Sequence, residues 1–179
     1  FEFYCPTRIV FGKGTIAKLP ELIDKSKKIL ITYGGGSIKK NGVYEQVKNA
    51  LQGYDILEFG GIEPNPKYET LMKAVDIVKN EGINFLLAVG GGSVLDGTKF
   101  IAAASKYYGE KDAYDYFMVE QNPVRDALPL ADVITLPATG SEMNNGAVIS
   151  RISTDEKLAF QWEPLYPQFS IIDPQVTFS

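Results

Sequence analysis

Two stretches of this sequence hold residues whose types and spacing suit phosphate binding: Gly34-Gly35-Gly36-Ser37 and Gly90-Gly91-Gly92-Ser93. Each follows a short apolar run, residues 28–33 and 85–89, and each opens a helix-compatible segment. Glycines let a backbone approach an anion closely, and the free N–H groups of a helix's first turn point at it. Ser93 is expected to cap its helix or to donate its hydroxyl to a phosphate oxygen. The spacing matches neither the dinucleotide Gly-x-Gly-x-x-Gly pattern nor a Gly-Lys-Ser/Thr loop. A lone turn of this kind can join a strand to a helix and bind nothing. Two of like composition favour a ligand.

Other chemistry is restricted by composition. There is no histidine, so the usual general base and the commonest metal ligand are missing from these 179 residues. A net charge of −4 speaks against nucleic acid as the main partner. No apolar run approaches the roughly 18 residues of a membrane span. The single cysteine, Cys5, permits no internal disulfide and suits a reducing compartment, so a cytoplasmic location is expected. Position 1 is Phe, and the chain is expected to be part of something longer.

The elements that must position the two turns follow from hydrophobic periodicity. Residues 2–11 are aromatic and β-branched with Pro6 inside, which suggests two short edge strands or a ribbon. Thr15 is expected to cap a helix carrying Ile16, Leu19, Leu22 and Ile23, with Pro20 marking a kink or a second start. Strands are expected at residues 28–33, 56–59, 85–89, 132–136 and 169–172, and one helix from Ile38 through Leu51. A second helix is expected over residues 68–80 and a third over 94–104, with an irregular or short helical tyrosine-rich stretch to Arg125. Residues 147–152 and 158–162 flank Ser153-Thr154-Asp155-Glu156 and read as a β-hairpin. The fold class is α/β: a Rossmann-like parallel sheet flanked by helices, with an N-terminal edge ribbon and a C-terminal hairpin. Ligands of such sheets bind beyond the carboxyl ends of the strands, where both glycine turns lie.

Phe11-Gly12-Lys13-Gly14, Pro64-Asn65-Pro66, Gly90 through Asp96, Leu136 through Glu142 and Ile172-Asp173-Pro174 occur in the order seen in iron-containing (group III) alcohol dehydrogenases. The chain resembles the branch of NADPH-dependent butanol dehydrogenases and aldehyde reductases. That resemblance implies a dinucleotide-binding domain over residues 1–179. It also implies a helical partner domain, absent from this chain, whose aspartate and three histidines hold a divalent metal, iron or zinc. By the same resemblance, Gly91, Gly92, Ser93 and Asp96 surround the pyrophosphate and adjoining ribose. Asn65 lies near the adenine-side ribose. Thr135, Thr139 and Ser141 line the diphosphate and nicotinamide ribose, and Asn144 and Lys157 face the nicotinamide. NADP is expected over NAD. Gly34, Gly35, Gly36 and Ser37 leave room for a 2′-phosphate where an acidic residue would repel it, and Lys39 and Lys40 add positive charge.

The function implied is hydride transfer between NADPH and a small aldehyde or primary alcohol, with this chain alone inactive. Two other readings stand beside it. One is a glycerol-dehydrogenase-type or dehydroquinate-synthase-like relative, and the other a non-enzymatic nucleotide- or flavin-binding module. A homodimer paired through the N-terminal edge strand is the oligomer that such an edge would form.

Overall fold

The computed structural model describes residues 4–136 and 141–175. Its centre is a six-stranded parallel sheet. The strands are β1 (Arg8–Phe11), β2 (Lys28–Thr32), β3 (Asp55–Phe59), β4 (Phe85–Gly91), β5 (Leu130–Leu136) and, after the hairpin strands β6 (Gly146–Arg151) and β7 (Glu156–Gln161), β8 (Phe169–Ile172). The spatial order is β1-β8-β5-β4-β2-β3, and β6 pairs antiparallel with β7 as a separate ribbon. The segment before β2 supplies one strand among the described residues, not the two short strands or ribbon expected. β1 lies parallel to β8, with Arg8 opposite Phe169 and Phe11 opposite Ile172, and Pro6 stays outside it.

Helices cover both faces. α1 (Leu19–Leu22), α2 (Ser37–Lys40) and α3 (Val43–Ala50) bury Leu19, Ile38, Val43 and Val47 on one face. α4 (Tyr68–Glu81) and α5 (Gly92–Ala104) bury Leu71, Val75, Leu95 and Phe100 on the other. The pleat sorts the central strand between these layers: Leu86 and Ala88 join the α4/α5 core, while Phe85, Leu87 and Val89 join the opposite one. With both faces covered, β4 reads as a continuous apolar run.

Two local expectations need correction. Residues 37–51 form two helices, because Gly42 takes φ 85° and Asn41 Oδ1 accepts the Val43 N–H, which restarts the helix. The apolar stripe continues across the break, so periodicity conceals it. Thr15 does not cap a helix. Its hydroxyl donates to the Gly12 carbonyl at 2.8 Å, and Gly14 N–H bonds the Asp173 carboxylate at 2.7 Å. Residues Thr15–Lys18 are 3-10, and α1 starts at Leu19 with Pro20 in its first turn, the second start that the ring favours. Within the tyrosine-rich stretch, Asp115–Val119 forms one π-helical turn.

The hairpin is fastened to the sheet domain by charge. Arg151 is buried and donates to Asp112, Asp115 and Glu156 at 3.2, 2.7 and 2.8 Å, with Tyr114 against its guanidinium. Glu69, in the first turn of α4, accepts the Ile152 and Ser153 N–H groups at the hairpin tip. These contacts place the ribbon beside the start of α5.

The corner from β4 into α5 depends on Gly90. It sits at φ 154°, at a register shift against β5, and a Cβ there would lie 2.9 Å from Val94 Cγ2. Gly90→Ala is therefore expected to destabilise the chain by about 2 kcal/mol through backbone strain and overpacking. Denaturant unfolding checks this, and an unchanged midpoint would show that the corner tolerates a side chain.

Candidate functional site

The strand order reverses between β2 and β4. From β2 the chain moves outward to β3, then crosses back to β4 on the other side of β2. The two strands pair in parallel, Thr32 opposite Ala88, so both glycine turns emerge side by side from one edge of the sheet. Reversal points of this kind open a crevice beyond the strand ends. A buried pair of hydroxyls, Thr32 Oγ1 and Thr98 Oγ1 at 2.7 Å, ties β2 to α5 beneath the crevice.

On the β2 side, Tyr33 O and Gly34 O accept the N–H groups of Ile62 and Gly61, which clips the β3–α4 loop against this corner. Gly34 is close-packed: a Cβ there would lie 3.2 Å from the Ile62 carbonyl. Gly35 and Gly36 face open space, and Gly36 needs its glycine at φ 102°. Ser37 begins the four-residue helix α2, too short for much dipole. Lys39 lies over the rings of Tyr33 and Tyr44 at 5.2 and 5.0 Å. Interaction with the Tyr33 hydroxyl raises its pKa.

On the β4 side, α5 has 13 residues, its N-cap is Gly91, and no side chain caps it. Among the described residues, its first-turn N–H groups thus meet no side-chain capping oxygen. Ser93 does not perform the capping role expected of it. Its hydroxyl donates to the Pro64 carbonyl, which leaves its backbone N–H for an anion. Gly91, like Gly35, would carry a Cβ into open space. Both corners are thus open at these positions among the described residues.

Beside the β4 corner, between α5 and the hairpin, lies a cavity of about 660 Å³. Gly92, Ser93, Asp96, Asn144, Gly146, Phe160 and Trp162 line it, whereas residues 34–37 and Thr135 do not. Asp96 accepts the Val148 N–H at 3.1 Å and so joins α5 to β6. Asn65 and Lys157, expected near opposite ends of a nucleotide, sit together, with Lys157 Nζ donating to Asn65 Oδ1 at 3.2 Å. Thr135 is half-buried near the end of β5, and Ser141 opens a 3-10 turn. Thr139 lies outside the described residues.

Two buried ionisable groups beneath the site escaped sequence reasoning. Lys99, on α5, is fully buried and donates to Asn144 O, Asn144 Oδ1 and Gly146 O at 3.0, 2.9 and 2.9 Å. Burial pulls its pKa down to about 8 against the opposing pull of Asp96, Asp132 and Glu142. Asp132, on β5, is also fully buried. Ser170 donates to its Oδ2 at 2.8 Å, and its Oδ1 has no partner among the described residues. The sequence signal was there: a lone lysine precedes Phe100-Ile101-Ala102-Ala103, and a lone aspartate interrupts Leu130-Ala131-Asp132-Val133.

Residues 6–174 match the family described as iron-containing alcohol dehydrogenase. The chain belongs to that family. It is 55% identical over its whole length to the NADPH-dependent aldehyde reductase YqhD of Escherichia coli (strain K12), covering 46% of that protein. It is 48% identical to a probable NADH-dependent butanol dehydrogenase of Bacillus subtilis (strain 168), again covering all of this chain and 46% of the relative. A crystal structure of E. coli K-12 YqhD superposes with a TM-score of 0.96, covering 100% of this chain and 46% of that one. The butanol dehydrogenase A of Thermotoga maritima, 46% identical, superposes with 0.93, covering 100% and 45%. The chain thus spans about half the length of the relatives it matches. Among the described residues, no group of three or more His, Cys, Asp or Glu could hold the metal in the family's name, and no helix is long and apolar enough to cross a membrane.

The pH dependence of stability tests the buried carboxyl. Burial raises the Asp132 pKa well above the usual carboxylate value, against the lowering pull of Ser170 and Lys99. As pH rises through the window between the ordinary and the raised value, the unfolded chain loses its proton first. Stability is therefore lost across that window. Asp132→Asn cannot titrate, so its unfolding midpoint is expected to fall less between pH 5 and pH 8 than that of the native sequence. An equal or larger fall would contradict the assignment.

Proposed function

We propose that this chain is the dinucleotide-binding half of an NADP(H)-dependent alcohol dehydrogenase or aldehyde reductase, which transfers hydride between NADPH and a small aldehyde or primary alcohol. The observation that carries this reading is the pair of glycine corners on neighbouring parallel strands, open at Gly35 and Gly91 and set against the uncapped start of α5. Open glycine corners beside the N-terminus of a 13-residue helix, with its dipole, suit a pyrophosphate. When bound, the cofactor supplies the hydride; the protein supplies position and electrostatics. Gly91, Gly92 and the Ser93 backbone would hold the phosphates, and Asp96 the adjoining ribose. Thr135, Thr139 and Ser141 would line the diphosphate and nicotinamide ribose, Asn144 the nicotinamide end. Asn65 and Lys157 would act as one pair.

NADP is favoured over NAD because residues 34–37 leave space and carry no carboxylate, Lys39 stands beside them, and the nearby Glu58 is engaged by Tyr44 and Lys48. The NADPH dependence in the name of the E. coli relative agrees, while the B. subtilis relative is named as NADH-dependent. The metal, iron or zinc, and the substrate pocket's other wall would come from a helical domain beyond these residues, so the isolated chain would be inactive. The exposed apolar edge at Ile9 and Phe11 suits pairing with a second copy, and the cytoplasm suits the lone cysteine.

Fluorescence titration of the chain with NADPH, NADH and FMN tests the reading. NADPH is expected to bind more tightly than NADH, and FMN not to bind. Preference for FMN would favour a flavin module, and alcohol oxidation by the 179-residue chain alone would contradict the division of labour. Gly35→Asp places a carboxylate where the 2′-phosphate is proposed to lie. It is expected to weaken NADPH binding roughly 30-fold, about 2 kcal/mol of like-charge repulsion, and to spare NADH. Equal loss for both cofactors would place the 2′-phosphate elsewhere.

A further inference from the structure

Lys99 sits under the cavity wall, and its contacts fix more than the backbone. An ammonium has only donors, and so does the Gly146 N–H. Asn144 Oδ1 is 2.9 Å from Lys99 Nζ and 3.0 Å from Gly146 N. Facing two donors, the Asn144 side chain must turn its oxygen inward, and a flipped amide would set N–H against N–H. The amide nitrogen is left on the cavity side, where Asn144 is exposed and has no partner for Nδ2 among the described residues. Lys99 also holds the Asn144 and Gly146 carbonyls, so the whole corner entering β6 is fixed with the amide. A neutral amine, with two N–H groups, could not serve all three acceptors.

We propose that Lys99 is a positioning residue that sets the orientation of the Asn144 amide, so that the cavity presents a hydrogen-bond donor and selects a ligand with a carbonyl oxygen. The inference rests on the proposed function for the identity of that ligand. A nicotinamide carboxamide and an aldehyde carbonyl share the required chemistry.

Asn144→Asp separates positioning from folding, since a carboxylate keeps the bonds from Lys99 and Gly146 N but offers the cavity no donor. In the full-length protein, binding of NADPH and of 2′-phospho-ADP-ribose is measured beside KM and kcat for a short aldehyde. A loss of tenfold or more for NADPH alone supports the proposal and assigns the acceptor to the carboxamide. Unchanged cofactor binding with a similar loss in kcat/KM assigns it to the aldehyde. No change in either, or equal loss for NADPH and 2′-phospho-ADP-ribose, overturns it. Lys99→Met is followed by NMR of the Asn144 side-chain NH2, with Lys99→Arg as the conservative rescue. One ordered NH2 pair in the native protein, averaged in Lys99→Met and restored in Lys99→Arg, is expected. An Asn144 amide that behaves identically in Lys99→Met overturns the inference even if the native protein binds no nucleotide, an outcome that would separately refute the proposed function.

Discussion

Backbone N–H groups can meet a phosphate only where no side chain stands between them, and this constraint shapes the carboxyl edge of the sheet. Two neighbouring strands must end in glycine, and they must be neighbours in space, not in sequence. The crossing from β3 back to β4 achieves this by laying β4 against β2. Everything else supports the juxtaposition. Apolar β4 is buried on both faces, the β3–α4 loop is clipped to Tyr33 and Gly34, and the Thr32–Thr98 pair locks α5 below.

The hairpin completes one side of the cleft, and it does so at an electrostatic cost. Lys99 and Asp132 are both removed from water within the same region, where solvent cannot serve them. Lys99 instead finds carbonyls and an amide oxygen, and Asp132 a hydroxyl. A buried charge retains its place when surrounding dipoles replace its hydration. Here the replacement dipoles belong to the cavity wall, so the burial of one lysine and the shape of the wall are one feature.

Much of this was legible in the sequence. Alternating apolar runs and amphipathic stripes place β2 through α5, and Pro20 and the hairpin fall where turn chemistry puts them. The glycine corners are visible because composition and position coincide there. What stayed hidden depends on distant partners. Ser93 gives up its capping role to Pro64, 29 residues earlier, and the Asn41-Gly42 break lies beneath an unbroken apolar stripe. Asn65 meets Lys157 across 92 residues, and Lys99 meets Asn144 across 45. Propensity and periodicity report on neighbours along the chain, so tertiary contacts of this range leave only indirect traces, such as a lone charge in an apolar run.

Amide hydrogen exchange, read residue by residue with and without saturating NADPH, tests the central claim most directly. If the two corners form one cradle, the N–H groups of Gly35, Gly36, Gly91, Gly92 and Ser93 slow together on addition of the nucleotide. Protection at one corner alone, or protection confined to another edge of the sheet, would contradict it.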